Sequence, residues 1–244
     1  MQNAQLVSLS RQIALQRQMD VVANNMANIN TTGFKNEAML FEQFDMPLAT
    51  DNEFPGDQSV AYTQDWATIH DMTNGPLDQT GNPLDVALSG PGFLSVSTPA
   101  GTRYTRAGSL AIDASGTLVD LGGNPVLSDS GPVHFDSADT DIQISKTGSI
   151  TTSQGGKGKL AIVEFADPQA LAREGNNLFS GGTPVPPTET QLVQGSIERS
   201  NVSGVTEMAQ MIRVERAYQQ IADMMQRQDD IRSSAIQKLG SLAA

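Results

Sequence analysis

The sequence of 244 residues contains no cysteine, which excludes disulfides, thiolate metal sites and a cysteine nucleophile. It contains no run of about 18 apolar residues, so we expect no transmembrane helix and no membrane insertion. Its start lacks the basic residues followed by an apolar block that mark a cleavable secretory signal, and we expect none.

Excess positive charge is also lacking. The formal net charge is −12, and residues 36–196 alone carry −14, whereas residues 1–35 carry +2 and residues 197–244 are neutral. Nucleic-acid phosphates are bound by lysine and arginine, so an acidic middle segment argues against a nucleic-acid partner. The simplest interpretation of the charge is a well-solvated surface.

Residues 3–30 place apolar side chains at helical spacing. The main stripe has intervals of 4, 3, 4 and 3, and an earlier run leads into it with intervals of 3 and 4. At about 1.5 Å per residue, such a helix is roughly 40 Å long. The stripe consists of Leu15, Met19, Val22, Met26 and Ile29, and the earlier run of Leu6, Leu9 and Ile13.

Residues 203–242 show the same periodicity. Ser203 is a suitable N-cap, and apolar spacing resumes at Ala235, Leu239 and Leu242 after an interruption at Gln228. Heptad-like spacing at both chain ends predicts that the two helices pair as a coiled coil. The stripe of the second helix consists of Met211, Val214, Tyr218, Ile221 and Met225.

The middle of the chain has a different pattern. Short β-prone runs such as GFLSVST, RYTRAGSLAID, GTLVDLGG, IQISKTGSI and KLAIVEF alternate with clusters of Gly, Asp, Asn and Ser. Turn signals recur about every 8 to 12 residues, which is typical of an antiparallel β domain. The stretch TPVPPTET at 183–190 predicts an extended linker leading back to the last helix.

We therefore predict an α+β fold in which N- and C-terminal helices form a coiled-coil layer and a mainly antiparallel β domain is inserted between them. The expected parts are an N-terminal helix with its exit turn at 1–35, an extended or β connecting region at 36–82, a central β domain at 83–182, a return linker and β connection at 183–202 and a C-terminal helix at 203–244.

The end of the first helix is rich in asparagine. Residues 18–34 contain a single charge, Asp20, and the face opposite the apolar stripe is small and uncharged, with Asn25 and Asn30 at the border of the stripe. Either the helix packs on more than one side within an assembly, or it is an ordinary helix with few charges. Asparagine and glycine favour a helix stop, so we predict an exit turn. The residues of that turn are Asn28, Asn30, Gly33 and Phe34.

We expect no catalytic, metal or cofactor site. His70 and His134 lack partners at metal-ligand spacing. The cluster DSADTD at 136–141 lacks the spacing and glycine of a calcium loop, so a polar turn is favoured. The sequence GGKGK at 155–159 lacks the phosphate-loop pattern and precedes a β-like run, which favours a hairpin turn.

Four segments of the chain resemble the bacterial flagellar rod and hook family. ANNMANINTTGFK at 23–35 is similar to its N-terminal signature, and YTRAGSL at 104–110 to one of its strands. GPLDQTGNPLDVALSGPGFLSV at 75–96 resembles the segment that ends in a Gly-x-Gly-Phe-Phe-type strand, with Leu94 replacing the second aromatic. VQGSIERSNVSGVTEMAQMIRVERAYQ at 193–219 resembles the C-terminal signature, a Gln-Gly-x-x-Glu-x-Ser-Asn-Val run opening the last helix. Length and the first 25 residues look most like the proximal-rod members, and the distal-rod paralogue is close in size.

The resemblance implies a structural subunit of the periplasmic rod in the flagellar basal body. Such subunits leave the cytoplasm through the flagellar type III export apparatus and polymerise with copies of themselves and other rod subunits around a channel. Terminal helices that are weakly ordered in the monomer would then order on assembly. The assembly interface is expected at both stripes and at Asn25, although the sequence leaves open which stripe faces its own chain.

Two classes of alternative remain at the level of sequence. A secreted β-rich hydrolase could use two carboxylates of the middle domain, but acidic pairs arise there by chance and the terminal stripes stay unexplained. A coiled-coil adhesin or binding module explains the helices and the β domain but not the order of the motifs.

Overall fold

The computed structural model describes residues 2–47 and 59–242, with side chains within 6–42 and 67–238. The chain divides into two compact units. Unit 1 comprises residues 1–26, 37–69 and 203–244, and unit 2 comprises residues 27–36 and 70–202. In the described part of the chain, no helix has the length and apolar character needed to cross a bilayer.

Unit 1 contains two long helices and a two-stranded ribbon. Helix α1 spans Gln2–Ala27 and helix α2 spans Gly204–Leu242. The ribbon pairs β1, Glu37–Pro47, with β2, Ser59–His70. The carbonyl of Ser203 accepts the amide of Glu207 at 3.0 Å, which places Ser203 at the N-cap position of α2 as predicted.

Helices α1 and α2 lie against each other. Val22 of α1 is buried, as are Val214 and Ile221 of α2, which are seven residues apart. A groove of about 270 Å³ runs between the helices, lined by Leu15, Gln18, Gln210, Arg213, Val214 and Ala217. This burial and the inserted β domain confirm the predicted α+β class with paired terminal helices.

Helix α1 ends three residues earlier than the predicted 30. The amide of Thr31 donates to the carbonyl of Asn28 at 3.1 Å, so residues 28–31 form a turn and not another helical turn. Asparagine has a low helix propensity and favours such local turns, which explains the difference. Of the apolar residues noted near the end of α2, the side chains of Leu239 and Leu242 lie outside the described side chains.

Unit 2 contains short strands that pair in antiparallel fashion wherever their register is described. All five β-prone sequence runs contribute strands. A 3₁₀ helix spans Pro168–Ala170. The strands are β3 Leu77–Gln79, β4 Val86–Ser89, β5 Phe93–Thr98, β6 Gly101–Thr105, β7 Leu110–Ile112, β8 Leu118–Asp120, β9 Leu127–Ser128, β10 Gly131–Pro132, β11 Gln143–Ile144, β12 Ser149–Thr152, β13 Gly155–Lys159, β14 Ile162–Phe165, β15 Ala172–Glu174, β16 Leu178–Ser180, β17 Pro184–Val185, β18 Gln191–Gln194 and β19 Ser196–Glu198.

The largest sheet has the strand order β15-β16-β6-β5-β14-β17. A three-stranded sheet has the order β11-β12-β13, and the pairs β4–β18, β3–β19, β7–β8 and β9–β10 complete the unit. The main core contains Leu88, Leu94, Leu118 and Ile150, all at most 1% exposed, and a second cluster joins Phe93, Phe165 and Phe179. Burial of these aliphatic and aromatic side chains is the main source of stability for the unit.

Candidate functional site

Asn25 connects α1, β1 and α2 within unit 1. Its amide nitrogen donates to the carbonyl of Glu37 at 2.8 Å and to the carboxylate of Glu207 at 3.2 Å. Its amide oxygen accepts the backbone amide of Glu37 at 3.0 Å. The Asn25 side chain is 1% exposed, so this buried amide has partners on both of its polar atoms, as burial requires.

The structure buries part of the predicted interface within unit 1. Val22, Asn25, Val214 and Ile221 are buried, and Tyr218 is 39% exposed. The remaining members of the stripes are partly buried, which leaves surface available for further contacts. They are Leu15, Met19, Met26, Ile29, Met211 and Met225.

The predicted exit turn is docked within unit 2. Gly33 has φ +67°, and a Cβ there would lie 2.4 Å from the backbone carbon of Arg106, so glycine is required for two reasons. Phe34 is 1% exposed, and the Arg173 guanidinium lies 3.9 Å from its ring centroid. Asn28 supplies the turn carbonyl, whereas Asn30 is exposed.

Three buried charged residues meet next to this turn within unit 2. The Lys35 ammonium contacts one oxygen of the Glu198 carboxylate at 2.6 Å, and Nε of Arg106 contacts the other at 3.0 Å. The side chains of all three are at most 1% exposed. We call this group the ion triad.

Backbone groups complete the hydrogen bonding of the ion triad. Lys35 also donates to the Thr73 carbonyl at 2.6 Å, and the Gly75 amide donates to Glu198 at 2.8 Å. The guanidinium of Arg106 donates to the carbonyls of Gly90 and Gly92 at 2.8 and 3.0 Å. Such multiple bonds offset part of the cost of burying charge.

Two cations share one carboxylate in the ion triad, so it carries a net positive charge. Burial lowers the pKa of the Lys35 ammonium, the Arg106 guanidinium lowers it further, and Glu198 acts in the opposite direction. Glu198 is therefore the only member of the triad whose removal leaves two like charges facing each other.

The ion triad was not predicted from the sequence. Its members lie in three of the quoted motifs, NTTGFK, YTRAGSL and GSIERSN. In NTTGFK and YTRAGSL the available signal was a single charged residue among uncharged neighbours, whereas in GSIERSN the charged Arg199 follows Glu198 directly. Periodicity could not reveal the triad, since Lys35 and Glu198 are 163 residues apart and meet only in the folded unit.

Each helix also carries an exposed apolar row. Val205 lies two positions before the buried Glu207, about 200° around the helix, so the row on α2 faces away from the buried side. The α1 row consists of Leu6, Leu9 and Ile13, which are 51%, 47% and 47% exposed, and the α2 row of Val205, Met208 and Ile212, which are 83%, 57% and 44% exposed.

The other sequence motifs lie in unit 2, where their residues make packing contacts, ion pairs and strand pairs. His70 packs edge-on against Phe179, and Lys157 forms ion pairs with Asp136 and Asp139 in the polar segment. GGKGK forms β13, a strand that pairs with β12 in a hairpin, so the segment is a strand of a hairpin and not the hairpin turn that was predicted. Among the described residues, no group of three or more His, Asp or Glu side chains is arranged to hold a metal ion.

Comparison with protein families accounts for these motifs. Residues 6–35 match the model for flagella basal body rod proteins, residues 87–152 the D1 domain of the flagellar hook protein FlgE/F/G, and residues 193–238 the C-terminal region of the flagellar basal body rod FlgEFG proteins.

Full-length relatives give the same result. The chain is 36% identical to the flagellar basal-body rod protein FlgF of Caulobacter vibrioides, with 99% of this chain and 100% of the relative aligned. It is 34% identical to FlgF of Mesorhizobium japonicum over 99% of each chain. Identity to the rod protein FlgG of Agrobacterium fabrum is 31%, over 90% of this chain and 93% of the relative.

The chain therefore belongs to the family of flagellar basal-body rod proteins. The sequence prediction of a structural rod subunit of the flagellar basal body, and not an enzyme, is confirmed. Of the three relatives compared, both FlgF proteins exceed the FlgG protein in identity and in the share aligned, so the chain is FlgF-like.

Proposed function

We propose that this chain occupies the proximal rod and polymerises there through the α1 row and the α2 row. Its own copies and other rod subunits are the partners, and the flagellar type III export apparatus delivers it to the periplasm. The observation that supports this proposal is that both rows stay exposed although α1 and α2 already pack together. Exposed apolar patches mark interaction surfaces, and contacts between different surfaces of identical subunits generate helical filaments.

In this proposal the predicted stripe residues have two roles. Buried Val22, Val214 and Ile221 hold the helix pair together. Tyr218 and Met225 lie on the same side of α2 as Val214 but are only partly buried, so they offer a neighbour a second surface that is separate from the α2 row. Asn25 belongs to the first group because its partners lie in the same chain.

The end of α2 supports coupled folding and assembly. Every described side chain from 229 to 238 is exposed, including Ile231 and Ile236. A helical segment with little packing of its own is marginal in water. We propose that neighbouring subunits stabilise this segment in the rod.

Substitution of one residue in each row tests the interface. Leu9→Asp and Met208→Asp should abolish motility and incorporation into isolated basal bodies, because a carboxylate would be buried in an apolar contact. Leu121→Asp, at an apolar residue of unit 2 that is 73% exposed, is the control and should leave motility unchanged. Wild-type swimming of both row variants would contradict the proposal.

Limited proteolysis tests the coupled folding. The purified monomer should be cut first within residues 229–238, and assembled rods should resist cleavage there. Equal resistance in the monomer and the rod would show that the segment is already ordered before assembly.

A further inference from the structure

The chain passes between its two units four times, between residues 26 and 27, 36 and 37, 69 and 70, and 202 and 203. Next to three of these crossings, residues of unit 2 are joined to one another in a single group of hydrogen bonds. We call this group the Asn201 clamp, and it consists of Asn36, Asp71, Thr73 and Asn201.

Asn201 makes the central contacts of the clamp through its side-chain amide. The amide oxygen accepts the backbone amide of Asn36 at 2.8 Å. The amide nitrogen donates to the carbonyl of Asp71 at 2.8 Å and to the carbonyl and hydroxyl of Thr73 at 3.2 and 3.3 Å. Asp71 and Asn36 are also joined directly, because the Asp71 amide donates to the Asn36 carbonyl at 2.8 Å.

This arrangement requires the chemistry of asparagine. A carboxamide offers donors and an acceptor on a short side chain, so it can pair with two backbone segments as a peptide group does. Aspartate would keep the acceptor for Asn36 but would turn a carboxylate towards the carbonyls of Asp71 and Thr73. Alanine would lose every bond.

Further hydrogen bonds join the clamp and the residues next to it to the rest of unit 2. The Thr73 carbonyl accepts from Asn201 and from Lys35 of the ion triad. The carbonyl of Glu198, three residues before Asn201, accepts the amide of Gly33 at 2.8 Å. Movement of one connecting segment is therefore opposed by contacts to the others.

We propose that Asn201 is a positioning residue that holds three of the four connecting segments together where they leave unit 2. Nothing in this assignment depends on the role in the rod. If the chain acts in the rod as proposed, any force passing between the units is divided among these segments, and the clamp keeps one of them from being pulled out alone.

Amide hydrogen exchange in the purified full chain, measured by NMR, tests the clamp. In Asn201→Ala the Asn36 amide should exchange about tenfold faster, because its acceptor is gone. In Asn201→Asp that amide should stay protected, while the Asp71 amide exchanges faster because the carboxylate repels its segment. Asn176→Asp, at an exposed asparagine with φ +51° that aspartate tolerates, should change neither rate.

The Leu118 amide, which donates to Val133 in the core, reports general loss of stability. The proposal is supported if the Asn36 amide accelerates in Asn201→Ala while the Leu118 amide does not. It is overturned if the Asn36 amide keeps its wild-type rate, or if both amides accelerate by the same factor.

The consequence for force has a separate test in cells. At an equal number of basal bodies, Asn201→Ala cells should lose a larger fraction of swimming speed in viscous medium than in buffer. Equal losses would refute the role in bearing force, while the exchange result would still decide whether the clamp exists.

Discussion

Asn25 and Glu207 form a buried hydrogen bond of 3.2 Å between residues 182 positions apart. The same Asn25 amide is bonded to both backbone groups of Glu37, so one side chain fixes α1 against α2 and against the start of β1. A buried asparagine in paired helices commonly specifies register, because a shifted alignment would leave it without partners.

Asn25→Asp should weaken the helix pair. The new carboxylate would face the Glu207 carboxylate and the Glu37 carbonyl, and we expect a loss of about 3 kcal/mol in the free energy of unfolding of unit 1. The measurement is urea unfolding followed by helical circular dichroism. Adding Glu207→Gln should restore part of the loss, since the new amide can donate to the carboxylate introduced at position 25; equal stability of single and double variants would argue against direct contact.

Glu198→Gln should destabilise unit 2 by about 3 to 5 kcal/mol, because it leaves Lys35 and Arg106 buried without a counter-charge. Lys35→Met should cost less, since it leaves a neutral Arg106–Glu198 pair. Urea unfolding of both variants shows which one loses more free energy of unfolding, and Glu189→Gln at an exposed position is the control. If Lys35→Met proved the more damaging, the net positive charge of the ion triad would not be the dominant factor.

Gly33→Ala should cost far more stability than Gly81→Ala. Both glycines have positive φ, +67° and +74°, so both variants incur about 1 kcal/mol of backbone strain. Only at Gly33 would the new methyl group meet backbone atoms, whereas at Gly81 nothing lies within 4 Å. We expect an additional loss of at least about 2 kcal/mol for Gly33→Ala in thermal unfolding; similar melting temperatures would show that the turn can move away.

Glu164 should make unit 2 sensitive to acid. Burial alone would raise its pKa, but hydrogen bonds from Thr190 and from Thr188 and Glu189 outweigh burial and lower the pKa to about 2. A carboxylate with a depressed pKa stabilises the fold above its unfolded pKa of 4.5, and this contribution is lost as the pH falls from 4.5 towards 2.

Urea unfolding of the wild type and Glu164→Gln between pH 6 and pH 2.5 tests this expectation. The variant should be less stable by about 2 kcal/mol at pH 6, and the difference should shrink in acid. A difference that is independent of pH would show that the ionisation of Glu164 does not contribute.

Sequence periodicity was sufficient for the elements that repeat a simple pattern. The 3- and 4-residue intervals through Val22 and through Val214 predicted both helices, and buried side chains are found there. Turn-rich β runs predicted antiparallel strands. The sequence places Asn25 at the border of the stripe, but its hydrogen bonds to Glu37 and Glu207 depend on which residues the helix pair brings together.

The ion triad and the Asn201 clamp could not be predicted by such patterns. Each is formed by single residues from segments far apart in the chain, so neither produces a local period. The exit turn shows the same limit, because Gly33 was expected for its φ angle, whereas the close approach of Arg106 became visible only in the folded unit.

The separation of Lys35 and Glu198 in the sequence also has a consequence for folding during synthesis, which we expect to follow a particular order. A polypeptide that emerges amino terminus first exposes Lys35 and Arg106 long before residue 198 is available to neutralise them. Until then, collapse around these two positions would trap unbalanced cations in an apolar interior, which is costly. Unit 2 should therefore complete its folding only after residue 198 has emerged, and its core should stay loosely packed before that point.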